Sequence, residues 1–149
     1  MKLVIAGASC LIGLENMNEV ELLRDLYQQV FATPEVAEEV GDSLPNWVQL
    51  RSSSNKLLID DLTTKLEIGE ATSIALALDI PQSILIIDEK KGRRTATELG
   101  IEITGTFGIL KNGIDLDLIK EPNTLIERLE NSGFRISETL RSELVDRIH

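Results

Sequence analysis

Two short, almost unbroken apolar runs do most to limit what this chain can become: residues 2–6 (KLVIA) and residues 84–87 (ILII). Neither alternates polar with apolar side chains. Each therefore suits a strand buried on both faces, as strands are inside a parallel sheet. Helical spacing follows the first run, carried by Val20, Leu22, Leu23, Leu26 and Val30. Parallel strands need long crossover connections, and helices usually supply them. The expectation is an α/β protein, a three-layer α/β/α sandwich with a mainly parallel, doubly wound sheet.

Local signals divide the rest of the chain. Thr33 and Pro34 read as a helix cap and first helical position, and residues 41–46 (GDSLPN) read as a turn before a short strand over 47–50. A weak helix over 55–66 precedes a second one over 70–78, rich in alanine and ended by Pro81. A helix over 90–99 stops at Gly100, where glycine tolerates a left-handed cap. A short strand over 101–104 then leads to three predicted helices, 107–111, 116–130 and 137–148, the last capped by Ser137. No linker or repeat interrupts the pattern, so residues 1–149 are expected to form one domain.

The charge balance narrows the function classes. A formal net charge of −10 argues against a broad, non-specific nucleic-acid surface, which needs clustered Lys and Arg. A local basic patch or a basic protein partner stays compatible with it. Cys10 is the single cysteine, which fits a small core residue in a reducing compartment. No apolar run approaches membrane-spanning length. No signal-peptide pattern opens the chain either, so a soluble, cytoplasmic protein is expected.

Chemistry concentrates where the apolar segments end. Glu39 closes PEVAEEV, Glu70 opens GEATSIALAL, and Asp88 ends ILIID with Glu89 beside it. Acids drawn from separate elements to one sheet edge form an oxygen-donor site for Mg²⁺ or Mn²⁺. Each acid also has a plain alternative: Glu70 complements a helix dipole, and Glu39 is a solvated charge. Lys90, Lys91, Arg93 and Arg94 follow the acidic strand end and are the best candidates for phosphate contacts, against a solvated helix face. Thr106 either lines the site or simply serves a strand-to-helix turn. At the end of the first strand stand Gly7, Ala8 and Ser9, with no acid among them.

The words around these residues match a family. The chain resembles the small prokaryotic PIN-domain proteins, in the branch close to VapC-type toxins. The likeness runs through SCLI at 9–12, TPEVAEEV at 33–40, GEATSIALAL at 69–78, LIIDEKKGRR at 85–94, LGIEITGTFGIL at 99–110 and GFRIS at 133–137. That resemblance implies a PIN-like fold and a metal-dependent endoribonuclease in which acids from four places hold one or two Mg²⁺ ions. Glu39, Glu70 and Asp88 match three of those acids, and Glu89 is a further candidate ligand. The first acid of the pattern falls on Gly7, and Ser9 matches the small hydroxyl residue after it. RNA as substrate, a small antitoxin protein as partner and a homodimer are likewise implied by the resemblance.

Two function classes follow. The leading one is a nucleic-acid-processing domain, a Mg-dependent endoribonuclease or the toxin component of a toxin–antitoxin pair, weakened by Gly7. The alternative is a catalytically silent PIN-like module that binds RNA or protein. A Mg²⁺-dependent phosphatase ranks behind both, since the first strand ends without an Asp and Asp88 lacks a second Asp two residues on.

Overall fold

The computed structural model describes residues 2–149. The chain begins with β1 (Leu3–Ala6), α1 (Ala8–Asn16), α2 (Glu21–Leu26), β2 (Gln29–Ala32), α3 (Pro34–Val40) and β3 (Gln49–Leu50). It continues through α4 (Lys56–Leu62), α5 (Ile68–Asp79), β4 (Ile84–Ile86), α6 (Lys90–Glu98) and β5 (Glu102–Thr104). Three helices close it: α7 (Thr106–Asp115), α8 (Leu125–Asn131) and α9 (Glu138–Ile148). The strands form one sheet in the order β3-β2-β1-β4-β5, and every pairing is parallel.

The unbroken apolar runs are explained by cores on both faces. Val4 and Ala6 of β1 and Ile86 of β4 join a cluster with α1, α2 and the C-terminal helices. Ile5 and Leu85, one residue along, join the other cluster with α4, α5 and α6. Side chains of a strand alternate between faces, so a strand with cores on both sides has no room for polar positions. Ala71 and Ala77 let α5 lie close in that second core, and Ala75 is fully buried as well.

Two expectations are corrected. Val30 belongs to a strand, not to a helix. Helical backbone stops at Leu26, Tyr27 is already extended, and residues 29–32 pair with both β1 and β3. The predicted helix over 116–130 is also broken. Asp117 and Glu121 take left-handed φ values of 58° and 50°, and a 3₁₀ turn, Pro122–Thr124, intervenes before α8. Proline lacks the N–H that a continuing helix needs.

Two long-range contacts pin the C-terminal helices. Phe134 packs its ring where a Gly13 side chain would otherwise sit, on α1. Glu19, only 2% exposed, accepts from the Arg128 guanidinium at 2.8 Å. Arg128 also donates to the carbonyls of Met17 and Lys120, at 2.6 and 2.7 Å, and to the Thr124 hydroxyl at 3.0 Å. It thereby ties α8 and the irregular segment before it to the end of α1.

Candidate active site

The chain leaves β1 for β2 and β3 on one side, then returns through β4 and β5 on the other. In open parallel sheets, ligands bind beyond the strand carboxyl ends at such a reversal. Here Gly7 follows β1 and Asp88 closely follows β4, and the Gly7 N–H donates to the Ile86 carbonyl at 3.2 Å. A cleft of about 320 Å³ opens at this edge. Ser9, Glu39, Glu70, Asp88 and Glu89 line it, together with Glu67 and Lys65.

Glu39 comes from the last turn of α3. Thr33 caps that helix by accepting from the Val36 N–H at 3.2 Å, and Pro34 takes its first position, as those residue types predict. The Thr33 and Thr72 hydroxyls share a buried hydrogen bond of 2.9 Å, which registers α3 against α5. A Cβ placed on Gly69, at the start of α5, would lie 3.4 Å from a Glu39 carboxylate oxygen. The helix carrying Glu39 is thus held beside the one carrying Glu70.

Glu70 belongs to a capping box. Glu67 is the N-cap of α5, and each side chain faces the other's backbone N–H, with Glu67 N to Glu70 Oε1 at 3.4 Å. Glu70 stands at the position three residues on that the capping box requires, but Glu67 replaces the usual Ser, Thr, Asp or Asn at the N-cap, so the sequence does not announce the motif. Partial burial raises the Glu70 pKa, the Glu67 N–H partly offsets this, and the carboxylates of Glu89, Glu67 and Glu39 raise it further. A folded-state pKa above the unfolded value means that the native state binds more protons between the two, so stability falls as pH rises through that window. Above it, charged Glu70 is a standing cost. Glu70→Gln should therefore raise the melting temperature at pH 7, and the gain should vanish below the ordinary glutamate pKa; calorimetry across pH checks it.

Asp88 is held more rigidly. Thr106, at the start of α7, donates its backbone N–H to Oδ1 at 2.8 Å and its hydroxyl to Oδ2 at 2.7 Å. Helix N-terminal donors favour a carboxylate there. Thr106 is fully buried, so it orients Asp88 from behind and does not line the cleft. Gly105 makes the approach possible: a Cβ there would sit 2.9 Å from both Asp88 Oδ1 and Arg93 Nη1.

The basic run divides by position. Arg93 is half-buried and donates to the Ile87 carbonyl at 2.7 Å, bracing the strand end that carries Asp88. Lys90 and Arg94 are exposed and outside the cleft lining, whereas Lys91 lines it. Glu89 caps α6 by accepting from the Gly92 N–H at 2.9 Å. That N–H and the one on Lys91 hold its carboxyl below the usual range. Cys10 also borders the cleft but is buried. Burial pushes its thiol up to about 12, Thr106 partly counters this and Asp88 adds to it. It is no thiolate nucleophile at neutral pH.

The donor chemistry suits a hard divalent cation, since carboxylate oxygens dominate the polar lining. The carboxylates do not converge on one point, however. Among the described residues, no three Asp, Glu, His or Cys side chains are grouped so as to hold a metal ion together. Gly7 adds no charge. What fits this edge is an ion held through one or two carboxylates with water, a mode Mg²⁺ commonly adopts.

Among the described residues, no helix is long and apolar enough to cross a membrane. A comparison with curated proteins finds no match, and neither does one with solved structures. A family model described as a PIN domain does match, over residues 3–149. PIN domains are nuclease-like, nucleic-acid-processing domains that generally bind divalent metals. An all-parallel sheet between helical layers, a cleft at its reversal point and a family match along nearly the whole chain agree: the chain belongs to the PIN-domain family.

Proposed function

We propose that the chain is a slow, Mg²⁺- or Mn²⁺-dependent endoribonuclease acting through Glu39, Glu70 and Asp88. One observation supports this most: acids from α3, α5 and the end of β4 line a single cleft, and Glu70 there is held at a raised pKa by burial and neighbouring carboxylates. Like charges kept together at a cost mark a site that a cation would relieve. A divalent ion supplies phosphoryl polarisation and an activated water. The chain's own part is to present oxygen ligands, with Asp88 fixed by Thr106 and its strand end braced by Arg93. Gly7 offers only backbone, so the ligand charge is low and the activity slow.

The reading extends to a toxin of a toxin–antitoxin pair, cytoplasmic and dimeric, with a small antitoxin protein as partner. Its support is the sequence resemblance and the lone buried thiol. Growth arrest on induced expression tests the toxin role, and light scattering on the eluted protein tests the dimer.

A second reading, a silent RNA- or protein-binding module, is favoured by Gly7 and by the absence of a three-acid group among the described residues. One experiment separates the two. Single-stranded RNA incubated with Mn²⁺ should be cut, chelation should stop the cutting, and Asp88→Asn should slow it roughly a hundredfold, the scale of a single electrostatic group in an active site. Binding without metal-dependent cutting would select the silent module.

A further inference from the structure

Lys65 lies in the turn between α4 and α5, a stretch that carries no motif. Leu62 and Leu66, on either side of it, are 3% and 7% exposed, and the Lys65 N–H donates to the Leu62 carbonyl at 3.2 Å. The turn is therefore anchored from beneath while the lysine side chain stays exposed at the cleft. Lys91 reaches the same cleft from the first turn of α6. The two elements meet at Glu70: a Cβ on Gly92 would lie 3.2 Å from Glu70 Oε2, and Glu70 is five residues past Lys65.

Among the described residues neither lysine forms an ion pair, although six such pairs engage other cations of the chain. Lys65 and Lys91 are the unpaired cations of a cleft whose lining is otherwise acidic, in a chain of net charge −10, so they are where the charge of an entering anion is met. The cleft, about 320 Å³, lies at the small end of ligand pockets, a size that suits one nucleotide of a single strand.

We infer that Lys65 and Lys91 form a two-sided clamp for the backbone phosphate of a single-stranded nucleic acid, positioning it over Glu70 and Asp88. The contact is to phosphate, so it is independent of base sequence. This rests on the nuclease-type reading above and adds to it a substrate-binding residue, Lys65, that the sequence did not single out.

Fluorescence anisotropy with a labelled oligouridine, in chelator and in Ca²⁺, tests the clamp separately from cleavage. Lys65→Ala and Lys91→Ala should each weaken binding about tenfold at low salt, the scale of a charged hydrogen bond. Each should also flatten the plot of log affinity against log salt by about 0.7, the single-strand value per phosphate contact. Lys2→Ala, at the opposite edge of the sheet and paired with Glu102 at 2.7 Å, should change neither, and a duplex competitor should bind more weakly. Unchanged slopes in both cleft variants, or an equal loss in Lys2→Ala, would overturn the clamp and leave the nuclease reading standing. A wild-type protein that binds no oligouridine in either condition would overturn the nuclease reading itself.

Discussion

Arg128→Ala should destabilise the protein by about 3–5 kcal/mol, the usual cost of stranding a buried charge. Glu19 is almost wholly buried and has the Arg128 guanidinium as its ion-pair partner. The same guanidinium satisfies carbonyls of Met17, Lys120 and Glu121, so truncation also leaves acceptors without donors. Domains of this size have only about 5–15 kcal/mol to lose. Urea unfolding should show a lower midpoint with an unchanged slope. Adding Glu19→Gln should recover a large part of the loss, because a buried neutral amide costs less than a buried carboxylate. A double variant no more stable than Arg128→Ala alone would locate the effect in packing, not in charge.

Gly7→Asp should tighten Mn²⁺ or Mg²⁺ binding roughly tenfold and speed RNA cutting, since a charged oxygen ligand strengthens the hold on a hard cation. The backbone permits it: Gly7 has φ −80° and ψ 164°, an extended conformation open to any residue. The obstacle is spacing. A Cβ at position 7 would lie 3.0 Å from the Ile86 carbonyl oxygen, so β1 and β4 must part by a few tenths of an ångström, at about 1–3 kcal/mol for added volume in a packed place. The same Cβ in Gly7→Ala supplies the control, with the stability loss but no metal gain. Metal-dependent protection against heating reads the affinity without any activity assay. Asp88→Ala in the Gly7→Asp background should abolish the gain. A folded Gly7→Asp protein that metal protects no better than Gly7→Ala would favour a binding role over a weakened nuclease.

The layer architecture was legible in the sequence because it is written in short-range pattern. The runs at 3–6 and 84–87 read as strands with a core on each side, and Thr33 and Ser137 cap helices through bonds to residues three positions on. β2 was missed because QVFA follows directly on a helical spacing, and what makes it a strand is pairing on both sides with distant segments. The acids at segment ends could be placed at one sheet edge by topology alone. Their partners could not. That Asp88 is gripped by Thr106, that Arg93 turns inward to a carbonyl, and that Lys65 rather than Lys90 reaches the cleft all depend on how helices pack across the sheet. Glu19 and Arg128 lie 109 residues apart, and no local spacing announces their contact. Local free energies select helix or strand over a few residues; only the assembled core decides which side chains are left facing one another.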